Sequence, residues 1–197
     1  MPIRVVIAED EAIIRLDLKE TLEEEGYEVV AETSRGDEAV ALVREHAPDL
    51  AILDIKMPGM DGLSAAREIT SERLAAVLIL TAFSQRNLIE EARDAGALAY
   101  LVKPFQKSEL VPAIEVALGR HKEMQTLAEQ AKNLEELLEN RKWVDRAKGM
   151  LMDKFSMSEN DAFTFIRTTA MQERKTMREV AQTILSGELV PPSTSSA

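Results

Sequence analysis

Hydrophobic and polar residues alternate with two different periods along the first 120 residues. Short runs of β-branched and aliphatic residues, typical of strands, occupy residues 3–8, 27–31, 50–55, 77–80 and 99–102. The segments between them place apolar residues three or four positions apart, as on one face of a helix. Five strands alternating with five helices predict an α/β fold with a doubly wound five-stranded parallel sheet. The runs IRVVIA, DLAILDI and AVLIL are continuously apolar, as strands buried on both faces are.

The fifth helix is predicted to begin near Ser108, and no stop signal follows it. Further along, apolar residues step alternately by three and four positions, as in the a/d seam of a coiled coil: Met124, Leu127, Ala131, Leu134 and Leu138. The same short seam also fits the buried face of a helix that packs within the chain. We therefore predict a long helical or coiled-coil linker over residues 121–140.

Beyond residue 140 the pattern is helical throughout and predicts a small bundle of three short helices. The first carries an apolar stripe that includes Trp143 and Phe155. The sequences SEND and TMRE resemble capping boxes that open two more helices, and Phe163 lies in the apolar pattern of the second. Gly187 is expected to end the third helix, before a disordered tail. The predicted domains are residues 1–120, the linker 121–140, the bundle 141–187 and the tail 188–197.

Composition narrows the class of protein. A content of 45% hydrophobic and 30% charged residues is typical of a soluble globular protein, and the absence of cysteine excludes disulfides and thiolate metal sites. No leader-like segment or membrane-spanning apolar run is evident, so we expect a cytoplasmic protein without a membrane partner. The net charge of −11 is concentrated in the first 120 residues, whereas the last part has a small basic excess. This asymmetry predicts two domains with different partners.

Polar residues stand where the apolar runs of the predicted sheet stop. These residues are Glu9 and Asp10 after the first run, Asp54 after the third, Thr81 after the fourth and Lys103 after the fifth. Because ligands bind at the carboxyl ends of parallel strands, we expect all five in one crevice. Three carboxylates repel one another unless a cation lies among them. Lys103 can supply one cation, and an all-oxygen set of ligands suits Mg²⁺.

A metal ion, a free carboxylate and a lysine together form a set of groups for phosphoryl transfer. The Asp54 carboxylate would attack in line, as in aspartyl-phosphate chemistry, while the metal ion and Lys103 neutralise charge on the phosphoryl oxygens. Thr81 could donate its hydroxyl to one of those oxygens. A single acidic residue at a strand end is more often a helix N-cap, which is our interpretation of Asp61. The joint placement of all five residues at strand ends favours the phosphoryl site.

The segments VIAEDE, LAILDIKMPGMDG, LILTAF and AYLVKPF resemble, in order and spacing, the receiver domain of two-component response regulators. The resemblance covers roughly residues 1–120 and implies a flavodoxin-like fold. It also implies that Asp54 is phosphorylated by a sensor histidine kinase or by a small phosphodonor.

The same resemblance implies roles for individual residues. The Mg²⁺ ligands would be Asp10, Asp54 and the backbone carbonyl of Lys56, with Glu9 acting through water. Thr81 and Lys103 would contact the phosphoryl group, and Tyr100 would be the rotameric switch residue. The Lys103–Pro104 peptide bond is expected to be cis.

Basic residues of the last domain allow more than one interpretation. The domain has no His, Cys or carboxylate cluster that would indicate an enzymatic output. Arg141 and Lys148 lie seven residues apart on the first helix, and Arg167 and Arg174 repeat that spacing on the second. Two basic lines could bind phosphates, but interleaved acidic residues also fit a solvated face.

The segments AKGMLM, DAFTFIRTTAM and VAQTIL resemble the ANTAR domain, an RNA-binding module of transcription antiterminators. The whole chain then resembles the receiver–ANTAR response regulators of actinobacteria. The resemblance implies a stem-loop RNA partner, with the two basic lines and Gly149 as candidate contacts. Gly149 would allow close approach of the backbone to RNA or would relieve helix packing. A homodimer formed on phosphorylation would hold two hairpins together. Binding of duplex DNA and docking of a protein are the alternatives.

Overall fold

The computed structural model describes residues 2–82 and 86–191. The chain divides into two compact units, Met1–Thr126 and Leu127–Ala197, which we call the α/β unit and the helical unit. The strands are β1 (Arg4–Ala8), β2 (Glu28–Thr33), β3 (Leu50–Asp54), β4 (Ala76–Thr81) and β5 (Ala99–Val102). The helices are α1 (Ala12–Glu24), α2 (Gly36–His46), α3 (Gly62–Ser71), α4 (Arg86–Asp94), α5 (Lys107–Phe155), α6 (Glu159–Glu173) and α7 (Met177–Ser186).

All strands belong to one parallel sheet in the order β2-β1-β3-β4-β5. One buried cluster joins a face of the sheet to α1 and to the first turns of α5, and a second cluster joins the other face to α2, α3 and α4. This architecture confirms the predicted doubly wound α/β fold. Strands β3 and β4 are buried along their whole length, as their continuous apolar runs predict.

The alternation of side chains along the strands decides which polar residues share a face. Ile7 of β1 and Ile52 of β3 belong to the buried cluster beneath α1 and α5. Successive side chains of a strand point to opposite faces, so Glu9 and Asp54, each two residues further on, continue on that face. The alternation along β4 directs the side chain of Thr81, at the end of that strand, to the opposite face of the sheet, where the second buried cluster lies. The carboxylates and the threonine therefore lie at the same edge of the sheet but belong to opposite faces.

Helix α3 begins at a side-chain cap, as predicted. The Asp61 carboxylate accepts hydrogen bonds from the Ser64 backbone N–H at 2.9 Å and from the Ser64 hydroxyl at 2.7 Å. Burial alone raises the pKa of Asp61, but the hydrogen bonds from Ser64 outweigh it and hold the pKa below its usual value. The stabilisation by this cap is therefore present above the usual aspartate pKa, about 4, and is lost as the pH falls through the lower folded-state pKa.

An Asp61→Ala variant is expected to lose about 1 kcal/mol of unfolding free energy at neutral pH, because the first turn of α3 loses its cap. Urea unfolding of both proteins across the acidic range measures the difference, which should disappear once Asp61 is protonated. Asp61→Asn is the matched control, since asparagine caps without titrating. A constant difference between Asp61→Ala and wild type at every pH would contradict the role of the charged cap.

The helical unit packs the end of α5 against α6 and α7. Its core consists of the buried residues Val144, Ala147, Leu151, Ala162, Ile166, Ala170, Val180, Ala181 and Ile184. Ser158 caps α6, Thr176 and Glu179 form a complete capping box on α7, and Gly187 ends α7 in the left-handed region at φ 83°. These features confirm the predicted helix starts and the stop at Gly187, but only TMRE forms the complete capping box, whereas at SEND the Ser158 hydroxyl accepts a hydrogen bond from the Asp161 N–H.

The first helix of the predicted bundle is the C-terminal part of α5, which continues the predicted linker helix. Helix α5 runs without interruption from Lys107 to Phe155 because the predicted linker, residues 121–140, contains no glycine or proline. Along this stretch Leu127, Leu134 and Leu138 remain exposed. Their exposure does not fit the interpretation in which the seam packs within the chain.

Three further expectations for the helical unit need correction. Arg174 is not on α6, because it adopts the left-handed conformation at φ 54° and ends the helix, so it does not align with Arg167. Phe155 and Phe163 are exposed, whereas the apolar pattern predicted them in the core. Leu189 packs against the core of the unit, although the tail was predicted to be disordered from residue 188. The predicted tail residues 192–197 lie outside the described residues.

Candidate functional site

Three carboxylates meet at the carboxyl ends of β1 and β3. Glu9, Asp10 and Asp54 each offer an oxygen atom, and these atoms lie within 4.8 Å of one another. Glu9 is fully buried and Asp54 is buried, whereas Asp10 is exposed. The cluster is therefore fixed from below by the sheet and open to solvent on the side of Asp10.

Lys103 lies between two of these carboxylates, as the sequence predicts. Its Nζ is 2.5 Å from Glu9 Oε2 and 2.8 Å from Asp54 Oδ1. Burial by itself lowers the pKa of Lys103, but the hydrogen bonds and negative charges of Asp54 and Glu9 outweigh it, so the pKa lies above its usual value. Lys103 thus stays a cation beside Asp54.

The turn after β3 orients the Asp54 carboxylate. The Lys56 backbone N–H donates to Asp54 Oδ2 at 3.0 Å, so each oxygen of Asp54 has a defined contact. Gly62 allows α3 to begin directly against the end of β3, since a Cβ there would lie 1.9 Å from the Asp54 backbone oxygen. Gly59 takes a positive φ of 79° within the same turn. The glycines of DIKMPGMDG are therefore required by the geometry that places Asp54.

Glu9 is a buried acid whose charge depends on neighbouring cations. Its Oε1 accepts a hydrogen bond from the Glu11 N–H at 3.2 Å. Burial raises the pKa of Glu9, the hydrogen bond with Lys103 lowers it, and repulsion from Asp54 raises it again, so the pKa lies above its usual value. A bound metal ion would relieve this repulsion, which makes the set of acidic oxygens a suitable cation site.

The donor chemistry of this cluster fits Mg²⁺, which prefers carboxylate, carbonyl and water oxygens. A cleft of about 540 Å³ adjoins the site and is lined in part by Asp10, Lys56, Met57 and Pro58. Its position leaves room beside the carboxylates for a ligand that approaches from solvent. Lys56 is close enough to Asp54 for its backbone to belong to the same site.

Thr81 and Tyr100 lie on the neighbouring strands β4 and β5. Thr81 is buried, and its backbone oxygen accepts a hydrogen bond from the Lys103 N–H at 2.7 Å. Burial raises the pKa of Tyr100, and a side-chain hydrogen bond with Thr81 opposes this effect. Thr81 therefore links Tyr100 to the strand end that carries Lys103. The Lys103–Pro104 peptide bond is cis, as expected.

Family comparisons agree with this arrangement. Residues 5–115 match the response regulator receiver domain, and residues 132–185 match the ANTAR domain. The chain is 56% identical over 185 residues to the transcriptional regulatory protein PdtaR of Mycobacterium tuberculosis, a match that covers 94% of this chain and 90% of that protein. The chain belongs to the response regulators. Its ANTAR domain gives this response regulator an RNA-binding output, which confirms the predicted class.

Relatives of the receiver domain alone include the chemotaxis protein CheY of Bacillus subtilis. It is 40% identical over 117 residues, which is 59% of this response regulator and 98% of CheY. The solved CheX–CheY–BeF₃–Mg²⁺ complex from Borrelia burgdorferi matches with a TM-score of 0.55 and 26% identity, over 58% of this chain and 87% of that chain. The response regulator domain of Thermotoga maritima CheB matches with a TM-score of 0.56 and 27% identity, over 60% of this chain and 98% of that one.

The ANTAR domain of this response regulator brings only some of the predicted basic residues together. A cleft of about 450 Å³ is lined by Asn140, Arg141, Val144, Asp145, Lys148, Phe163, Thr176, Met177 and Arg178. Gly149, Arg167 and Arg174 are not among its lining residues. Phe163 and Arg178 were missed from the sequence, because Phe163 fits an apolar helical pattern and Arg178 has no basic partner seven residues away.

Gly149 has open space around it. A Cβ at this position would meet no atom of the described residues within 4 Å. The packing explanation for Gly149 therefore fails. Close approach of another molecule to the backbone remains a prediction.

Within residues 2–82 and 86–191, no helix is both long and apolar enough to cross a bilayer.

Proposed function

We propose that this response regulator is switched by phosphorylation of Asp54 and acts in transcription antitermination by binding stem-loop RNA. The observation that carries the first half is the contact of Lys103 with the buried carboxylates of Glu9 and Asp54. A surface salt bridge needs no such burial, whereas a phosphoacceptor site needs a fixed carboxylate beside a cation. A sensor histidine kinase is the proposed donor, and acetyl phosphate would serve as a small-molecule substitute.

The proposed transfer forms one bond and breaks one. An Asp54 oxygen attacks the phosphorus of the donor, the bond from phosphorus to the donor nitrogen or oxygen breaks, and its electron pair leaves with the donor group. Lys103 and Thr81 would then contact the phosphoryl oxygens, since Lys103 touches Asp54 and Thr81 ends the neighbouring strand β4. The product is an acyl phosphate on Asp54. This role makes the chain a phosphoacceptor and not a turnover enzyme.

Mg²⁺ would be held by Asp10, Asp54 and the Lys56 backbone carbonyl, with Glu9 through water. When bound, it supplies positive charge that offsets the charge of the phosphoryl oxygens. The chain's own contribution is to fix the Asp54 carboxylate through the Lys56 N–H and to keep Lys103 charged.

The proposed switch begins at Thr81. A phosphoryl group on Asp54 would attract the Thr81 hydroxyl, and Tyr100 would repack because its side chain is hydrogen-bonded to Thr81. This change would alter the surface near α4 and β5. The exposed leucines of α5 offer a surface for pairing two copies in the phosphorylated state, so that two hairpins are held together. Both this homodimer and a cytoplasmic location stay predictions.

RNA output is tested by binding measurements on the full chain phosphorylated with acetyl phosphate. A hairpin RNA is selected from a pool with a randomised loop, and unlabelled duplex DNA of equal length is the competitor. We expect salt-dependent binding to the hairpin that duplex DNA does not displace, because loop bases are accessible only in the hairpin. Lys148→Ala should weaken this binding by roughly five-fold or more without changing phosphorylation.

Lys154→Ala is the matched control, because Lys154 is an exposed lysine of the same helix and does not line the cleft. Displacement of the hairpin by duplex DNA would favour a promoter-binding regulator instead. The absence of salt-dependent binding to either nucleic acid would favour an adaptor that docks a protein.

A further inference from the structure

The cleft of the ANTAR domain combines an exposed aromatic ring with cations on two helices. It lies between the C-terminal part of α5, α6 and the first turn of α7. Phe163 of α6 is 38% exposed, although its neighbour Ala162 is fully buried in the core. An exposed phenylalanine beside basic residues is the arrangement on which an unstacked base can lie while its phosphates are neutralised.

The two arginines of the cleft are freer to bind an anion than its lysine, Lys148. The Arg141 side chain is 82% exposed, and its nearest carboxylate oxygen, on Asp145, lies 3.8 Å away. Arg178, at the start of α7, forms none of the ion pairs found among residues 2–82 and 86–191. These guanidinium groups can therefore take phosphate oxygens without first breaking a close ion pair.

Lys148 is in the opposite situation. Its Nζ lies 2.9 Å from Asp145 Oδ1 and 2.8 Å from Glu159 Oε1, and only 17% of its side chain is exposed. The hydrogen bonds to Glu159 and Asp145 hold the pKa of Lys148 above its usual value, so it stays charged. Two carboxylates nevertheless offset that charge. A phosphate that contacts Lys148 must compete with Glu159 of α6 and Asp145 of α5.

We propose that this cleft takes one unpaired nucleotide of the RNA, with the base on the Phe163 ring, the flanking phosphates on Arg141 and Arg178, and Glu159 competing for Lys148. The proposal rests on the RNA-binding output and names the part of the RNA and the further residues that recognise it. Glu159 does not line the cleft but pairs with Lys148, so in this arrangement it lowers the affinity by competing with RNA for that lysine.

The proposal predicts that substitutions in the cleft weaken binding and that substitution of Glu159, the partner of Lys148, strengthens it. Phe163→Leu keeps an apolar side chain but loses the ring, so affinity for the selected hairpin should fall by about ten-fold, while Phe163→Tyr should bind like wild type. Arg178→Ala should weaken binding and reduce the slope of log affinity against log salt by about 1. Glu159→Gln should strengthen binding by about two- to five-fold and make the salt slope steeper, because only Asp145 then competes with RNA for Lys148.

The two charge variants, Glu159→Gln and Arg178→Ala, have matched controls outside the cleft. Glu173→Gln removes a carboxylate that pairs with Lys175 at 2.7 Å, and Lys154→Ala removes an exposed cation. Both controls should bind within two-fold of wild type, and circular dichroism should confirm that every variant is folded. The measurements use the full chain, phosphorylated with acetyl phosphate, and the hairpin selected by the wild-type protein. A fully paired duplex RNA of the same length should compete poorly.

The outcomes separate this proposal from the proposed function. If wild type binds the hairpin but Phe163→Leu and Arg178→Ala bind as tightly as the controls do, the cleft is wrong and the RNA output stands. Weaker binding by Glu159→Gln overturns the competing role of Glu159. If wild type shows no salt-dependent binding to any RNA of the pool, the RNA output itself fails.

Discussion

An Asp54→Asn variant incubated with acetyl phosphate and Mg²⁺ is expected to take up no phosphate. Asparagine has nearly the shape of aspartate, so it can keep the hydrogen bond from the Lys56 N–H, but its amide cannot attack phosphorus as a carboxylate does. Intact-mass spectrometry before and after treatment with hydroxylamine, which cleaves acyl phosphates, measures the modification. Wild type should gain the mass of one phosphoryl group and lose it again.

Asp61→Asn is the matched control for this experiment, because Asp61 lies in the same turn but caps α3 and lies outside the carboxylate cluster. It should be phosphorylated like wild type. Phosphorylation of the Asp54→Asn protein above background would show that another side chain accepts the group. The assignment of the site would then be wrong.

A Lys103→Met variant is expected to lose about 3–5 kcal/mol of unfolding free energy in the absence of divalent metal ions. The substitution leaves Glu9 and Asp54 buried without the cation that lies within 2.8 Å of both. Urea unfolding at neutral pH measures the loss. Lys107→Met is the control, because Lys107 forms exposed ion pairs and its removal should leave stability nearly unchanged.

Mg²⁺ should restore part of the stability of Lys103→Met, because a metal ion among the carboxylates replaces the missing positive charge. The stabilisation by a given Mg²⁺ concentration should therefore be larger for Lys103→Met than for wild type. A double variant Lys103→Met/Glu9→Gln should recover stability without metal, since the repulsion is then removed. Equal stabilisation of wild type and Lys103→Met by Mg²⁺ would contradict the carboxylate cluster as the metal site.

Much of the α/β unit can be predicted from local sequence patterns. A strand that is buried on both faces is apolar along its whole length, so its first polar residue marks the end of the strand at the edge of the sheet. This pattern is enough to predict that Glu9, Asp54 and Lys103 lie at the edge of the sheet. It could not tell which atoms touch. The contacts of Lys103 join residues at the ends of three strands that are far apart in the sequence, and only the strand order places them together.

Errors arose where helical periodicity alone was used. Phe163 repeats at the spacing of a buried face but lies outside the core of the helical unit and is exposed. Arg174 would align with Arg167 if α6 continued, but α6 ends at Glu173. In α1, Ile13 and Leu16 fit the apolar pattern and are exposed, whereas Leu18 and Leu22 are buried. A residue on the apolar face of a helix can be buried, but its position on that face does not guarantee burial.

The capping box of α7 has a consequence for heat sensitivity. A helix of 10 residues is too short to be stable in isolation, so α7 depends on the Thr176–Glu179 cap and on its few buried side chains. Arg178 lies inside that capped turn, so fraying of the turn would displace an arginine of the proposed cleft. On warming, RNA binding would then be lost at a lower temperature than phosphorylation of Asp54. The regulator would still accept the phosphoryl group but could no longer act on RNA.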